Sequence, residues 1–139
     1  MAELARKLGI KPGYSLALLD APAASAAVVR ASLPEDVTVA EELGDERYDL
    51  ILFWPAALEG LSERFAALAQ HITPDGAIWS VIPKKQFAPS RGISFTWEEM
   101  QASGLRTDLV DNKVCAVTPE DYGTRFVIRK EHRHRYDAP

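Results

Sequence analysis

A small set of side chains could do chemistry in this sequence, and all of them fall at the ends of apolar runs. Asp20 ends "YSLALLD", Glu41 and Glu42 follow "VTVA", Trp54 closes "DLILFW", and Lys84, Lys85 and Arg91 follow "AIWSVIP". A carboxylate such as Asp20 can act as a general base or hold a hydroxyl, and the same residue type forms turns or caps helices. The cations Lys84, Lys85 and Arg91 share one polar segment, where they can receive a phosphate or carboxylate or simply solvate a sheet end. Trp54 reads as an aromatic wall or a packing residue. Lys113 is a further cation near a run end.

Other reactive types are sparse. Cys115 sits in the alternating run "KVCAV", so its side chain is expected to face the core, with no His or acid nearby in sequence to activate it. His71 falls at a helix end, where a cation suits the dipole. The tail "RKEHRHRYDAP" holds the close pair His132 and His134 among Arg129, Lys130, Arg133 and Arg135. Such a tail can add a salt-dependent phosphate contact, or it can be free chain. There is no H-E-x-x-H, Walker loop, Ser-His-Asp spacing or paired catalytic carboxylate, so no catalytic residue and no metal ligand is assigned.

The elements that position these residues follow from periodicity. Ala2 to Leu8 reads as a short helix closed by Gly9, and "YSLALLD" as a strand buried on both faces. Ala23 to Ala31 reads as a helix, Val37 to Ala40 as a second strand and Asp49 to Trp54 as a third. Leu58, Leu61, Phe65, Leu68 and Ile72 form one helical stripe. "TPDG" predicts a turn before the strand "AIWSVIP", and Pro83 to Gly92 is the longest expected loop. Thr96 and Glu99 have capping-box spacing for a helix from Trp97, which Gly104 is expected to end. "TDLVDNKVCAVTP" and "TRFVIRK" alternate around "PEDYG", which predicts a terminal hairpin. Strands alternating with helices mean an α/β fold with a largely parallel sheet, in which ligands sit beyond the carboxyl ends of the strands.

Composition narrows the class. The chain has 139 residues, 47% of them hydrophobic, a net charge of −4 and one cysteine. That suits one globular domain, excludes an internal disulfide or a Cys-based zinc ribbon, and gives no polyanion-coating charge. No window reaches the length of a membrane span, and the start lacks a secretory core, so a soluble, cytoplasmic protein is expected. Residues 1–130 are expected to form the domain and 131–139 a flexible basic tail.

The order "DLILFWP", helix, "ITPDGAIWSVIPKK", helix ending "SGL", hairpin resembles the C-terminal half of class I S-adenosylmethionine-dependent methyltransferases. More narrowly, "ARKLGIKPG", "PKK" and "LVDNKVCAV" resemble a small uncharacterised bacterial family described as methyltransferase-like. The resemblance implies a three-layer, Rossmann-like domain with about six strands and an antiparallel last strand. It places Asp20 and either Glu41 or Glu42 at the cofactor site, the glutamate where an acid holds the ribose hydroxyls. It places Trp54 where amino-methyltransferases grip a substrate amine.

The sequence departs from that pattern in two places. The expected D-x-G-x-G-x-G turn reads Asp20-Ala21-Pro22-Ala23-Ala24-Ser25, without glycine, and Pro22 lacks an N–H. Only Leu43 to Tyr48 separates the second strand from the next, too short for another helix and strand, so the usual third strand is missing. The function expected is therefore a degenerate, non-catalytic methyltransferase-like domain that binds a partner protein or small anion at the carboxyl edge of its sheet, with no cofactor. The alternative is an active small methyltransferase using S-adenosylmethionine, which requires an open cavity beside Asp20 and Glu41 unfilled by Pro22, Leu43 or Trp54. A second alternative is a nucleic-acid-associated module, which requires Lys84, Lys85 and the tail cations to share one face. The exposed edge at Val37 to Ala40 also allows a homodimer, opposed by the acids Glu35, Asp36, Glu41 and Glu42.

Overall fold

The computed structural model describes residues 3–136. Six strands form one sheet: β1 (Ser15–Leu19), β2 (Thr38–Ala40), β3 (Tyr48–Phe53), β4 (Ile72–Pro83), β5 (Leu109–Ala116) and β6 (Asp121–Ile128). Their order is β2-β1-β3-β4-β6-β5. The first four strands pair in parallel, and β6 runs antiparallel to both β4 and β5. This is the expected Rossmann-like, methyltransferase-like sheet, without the usual third strand.

The central strands are apolar on both sides because helices cover both faces. Leu16, Leu18, Leu50, Leu52, Trp79 and Val81 pack beneath α1 (Glu3–Leu8) and α2 (Ala23–Ala31). On the other face, Ala17, Leu19, Ile51, Phe53, Ile78 and Ile82 pack against α3 (Leu61–Ala69) and α4 (Trp97–Leu105). The first residue expected in α1, Ala2, lies outside the described residues.

The link between β2 and β3 is Glu41–Arg47 alone. Buried Tyr48 holds it: its hydroxyl accepts from Gly44 N at 2.9 Å and donates to the Glu42 carbonyl at 3.4 Å. β2 is an edge strand of three residues, as expected from the missing neighbour.

Several local expectations are corrected. The stripe from Leu58 to Ile72 overruns its helix: Leu58 is an exposed loop residue and Ile72 already opens β4. "TPDG" does not precede β4 but bulges within it, since Ile72 pairs with Tyr48 and the next partner of β3 is Ala77 opposite Leu50. Gly76 is needed there because a Cβ would meet the Asp49 carbonyl at 2.9 Å. The Thr96–Glu99 capping box forms, with Thr96 Oγ1 accepting from Glu99 N at 3.1 Å and Thr96 N donating to Glu99 Oε1 at 2.9 Å. Gly104, however, lies inside α4 rather than ending it, and a Cβ there would meet the Phe126 ring at 2.5 Å. The hairpin forms, but β6 begins at Asp121 rather than beyond Gly123.

The segment after β6 is folded as far as it is described. Lys130–Arg135 form a 3-10 helix, and Tyr136 is buried with α3 and α4. Tyr136 donates to Asp108 Oδ2 at 2.7 Å, and Arg135 reaches Asp108 Oδ1 at 3.1 Å. These contacts hold the Asp108 carboxyl below its usual range, the Tyr136 hydrogen bond most of all. Burial first, and then the same bond, pushes the Tyr136 phenol up to about 12. Residues 137–139 of the expected tail lie outside the described residues.

Candidate functional site

The carboxyl ends of β1, β3 and β4 and the start of β6 meet at one edge of the sheet. Its most connected residue was not singled out in the sequence. Asp121, 1% exposed, opens β6 and accepts from Arg91 Nη1 at 2.9 Å, from Thr118 Oγ1 at 3.1 Å and from Ser25 Oγ at 3.3 Å. Ser25 lies in the first turn of α2, and the hydroxyl of that residue is what meets the carboxylate. Thr118 also accepts from the N–H groups of Glu120 and Asp121, which fixes the β5–β6 turn. The Thr-Pro-Glu-Asp order signals that turn locally, but the partners Ser25 and Arg91 are remote in sequence.

Arg91 is therefore engaged: beyond Asp121, it lies 3.7 Å from Glu120. Lys84 and Lys85, predicted to act with it, form no ion pair among the described residues. Lys84 N donates to the Glu120 carbonyl at 2.7 Å, tying the loop to the same turn. Between α2 and this turn lies a cleft of about 390 Å³, walled by Pro22, Ala24, Val28 and Pro119 with Arg91 and Asp121 at its polar side.

Asp20 follows β1 with φ of 59°, the left-handed region. It does not cap α2: Pro22 holds the N-cap position and makes no side-chain cap. Its Oδ2 instead accepts from Arg64 Nη2 of α3 at 2.9 Å, and that guanidinium lies over the Phe53 ring at 5.3 Å. Glu41 accepts from Arg30 Nη2 of α2 at 2.7 Å, while Glu42 is exposed. Beside Asp20 and Glu41 is an open cavity of about 380 Å³, lined also by Leu18, Ala21, Ala23 and Ala26. Pro22, Leu43 and Trp54 do not fill it.

Trp54 belongs to the core beneath α1 and α2, and its indole N–H is buried without an acceptor. Cys115 is half-buried on the same face, and burial pushes its thiol up, away from thiolate chemistry. No group of three or more His, Cys, Asp or Glu suited to a metal occurs among the described residues. No helix among them is long and apolar enough to cross a membrane.

The charges expected to share a nucleic-acid face are divided. Lys84 and Lys85 follow the carboxyl end of β4, whereas the 3-10 helix follows the end of antiparallel β6 at the opposite sheet edge. There Arg133 lies 3.6 Å from Asp75, Arg135 pairs with Asp108, and His132 is 3.8 Å from Asp108.

No family model and no curated protein matches the chain. Solved structures, several of them methyltransferases, match its fold. A TehB-like S-adenosylmethionine-dependent methyltransferase from Corynebacterium glutamicum superposes with a TM-score of 0.59 at 12% identity, covering 93% of this chain and 89% of that one. The fibrillarin pre-rRNA processing protein of Methanococcus jannaschii gives 0.60 at 12% identity over 85% of this chain and 67% of its own. A fibrillarin/Nop5p complex gives 0.57 at 14%, over 86% and 74%. At these identities the likeness defines the fold: this chain has the methyltransferase-like Rossmann architecture, and the fold transfers more readily than the activity.

Proposed function

We propose that this chain is a methyltransferase-like domain that acts by binding at the carboxyl edge of its sheet and does not transfer methyl groups. One observation carries the reading: the first turn of α2, the natural anion site of such folds, receives the chain's own Asp121 carboxylate through Ser25, with Arg91 closing the pair. Three further features agree with it. Ala21 and Ala23 put Cβ atoms, and Pro22 a ring without an N–H, where the cofactor backbone turn would run. Glu41, one of the two acids at the ribose-binding place, is paired with Arg30. The chain between β2 and β3 is too short to supply an adenine wall. These residues do not fit S-adenosylmethionine in the usual mode.

The cleft beside Asp121 is the binding site in this reading. Its walls Pro22, Ala24, Val28 and Pro119 suit apolar side chains of a partner protein better than a free anion, because Arg91 already has its carboxylates. A structural neighbour described as a fibrillarin/Nop5p complex shares the fold and is held with a second protein.

One observation favours a second reading, an active small methyltransferase: the open cavity beside Asp20 and Glu41. Thermal unfolding with S-adenosylmethionine and S-adenosylhomocysteine separates the two. A ligand at about 100 times its dissociation constant adds ~2.7 kcal/mol, a shift on the order of 10 °C for a domain of this size. No shift at millimolar ligand is the expected result. A shift that Asp20→Asn and Glu41→Gln remove would show that the cofactor binds beside them and would overturn the first reading in favour of the second, with methyl transfer then the activity to assay.

A further inference from the structure

A different cleft, sharing no residue with the site above, lies between the end of α1 and the β5–β6 pair. It measures about 270 Å³ and is lined by Arg6, Lys7, Asn112, Lys113 and Arg125, with Leu8 and Gly9 behind them. Four of these side chains are cationic and none is acidic, in a chain whose net charge is −4.

The register makes this concentration of charge costly. Lys113 of β5 stands directly opposite Arg125 of β6, beside a bulge between Asp111 and Lys113. Directly opposed residues on antiparallel strands project from the same face, and like charges so placed destabilise the pair. No described carboxylate pairs with Lys7, Lys113 or Arg125, and Arg6 has only exposed Glu3 at 3.8 Å. Polar donors are also left over. The Lys113 ammonium gives one bond to the Lys7 carbonyl at 2.7 Å, and the Arg125 guanidinium gives one to Asn112 Oδ1 at 3.3 Å. These groups have three and five N–H donors respectively. Arg125 is half-buried, and that desolvation pulls its pKa below the ordinary arginine range.

A compact, multiply charged anion would relieve the repulsion and take up the remaining donors. We propose that this cleft binds a small molecule through a phosphate or diphosphate group, held by Lys7, Lys113 and Arg125 with Arg6 at the rim. A concave site of this size suits a small polyanion better than the extended backbone of a nucleic acid, which tracks a longer surface.

Pyrophosphate titrated at low salt into isotope-labelled protein is the test. Saturable amide shifts at Lys7, Gly9, Lys113 and Arg125, weakening as salt rises, are expected. Lys113→Glu turns the cross-strand repulsion into attraction, so it should weaken pyrophosphate at least roughly tenfold while leaving the melting temperature equal or higher. Arg125→Gln should weaken it similarly, and Lys84→Ala should leave it unchanged. The proposal fails if millimolar pyrophosphate gives no saturable shifts, if the shifts map to Lys84 and Lys85, or if Lys113→Glu binds as before. It also fails if the cleft takes a single-stranded RNA oligonucleotide that pyrophosphate does not displace.

Discussion

Arg91 Nη1 and Asp121 Oδ1 stand 2.9 Å apart at the carboxyl edge of the sheet, with the Asp121 side chain 2% exposed and that of Arg91 26% exposed. The asymmetry predicts unequal mutants. Removing Arg91 leaves a buried carboxylate without its counter-charge, which costs about 3 kcal/mol or more. Asp121→Asn keeps a group that can bond Ser25 and Thr118 and leaves a partly solvated guanidinium, so it should cost less. Urea unfolding of Arg91→Met and Asp121→Asn checks the order, and a costlier Asp121→Asn would refute it.

Tyr136 and Asp108 tie the 3-10 helix after β6 to the core beside α3 and α4, and they set opposite pH limits. Asp108 has a depressed pKa in the folded chain, so its contribution is present above the unfolded carboxyl value and is lost as pH falls through the lower folded one. Tyr136 is raised to about 12, so folding favours the neutral phenol. Its contribution is present below the unfolded value of roughly 10 and is lost as pH rises towards 12. Tyr136→Phe should cost about 1.5 kcal/mol at neutral pH, for a hydrogen bond to a charged acceptor. It should also flatten the alkaline fall in melting temperature, whereas an unchanged alkaline profile would place the loss elsewhere.

Gly104 of α4 packs against Phe126 so closely that alanine should destabilise the protein despite its better helix propensity. Propensity favours alanine by about 1 kcal/mol. A Cβ at 2.5 Å from a fully buried ring costs about 1–3 kcal/mol through overpacking. Gly104→Ala should therefore lower stability, and Phe126→Leu in the same chain should cost less than the two single changes added together. Strict additivity in a double-mutant cycle would remove the contact as the cause.

Asp20 holds a positive φ and an exposed ion pair with Arg64. Such a pair is worth ~0–1 kcal/mol, comparable with the strain that glycine would relieve. Asp20→Gly should be near neutral in thermal unfolding. Asp20→Val, β-branched in the left-handed region, should cost at least about 1 kcal/mol. Equal behaviour of the two variants would mean that the turn relaxes out of this conformation.

Strand and helix order was legible in the sequence because each depends on near neighbours. Buried strands declare themselves as apolar runs such as "DLILF", α3 as part of a helical stripe, and α4 through its capping box. The missing third strand was legible from chain length set against the methyltransferase pattern, since Glu41–Arg47 cannot hold a further helix and strand. Local signals misled where tertiary packing set the boundary. "TPDG" became a bulge because β4 continues alongside β3 on both sides of it, and Gly104 stayed helical because Phe126 needs the space.

The sites follow the same division. Residue type and place at the strand ends singled out Asp20, Glu41, Glu42, Lys84, Lys85 and Arg91, and the structure adds the cavity beside Asp20 and Glu41. Only the folded chain brings Ser25 and Arg91 to Asp121, and only strand register sets Lys113 against Arg125. By itself the sequence determined an α/β order of strands and helices ending in a hairpin, because apolar periodicity and turn chemistry are local properties, and its resemblance to methyltransferases implied the six-stranded sheet with a rebuilt first turn. Tertiary structure decided which charges are neutralised within the protein and which remain for a ligand, because that depends on side chains brought within a few ångströms from distant parts of the chain.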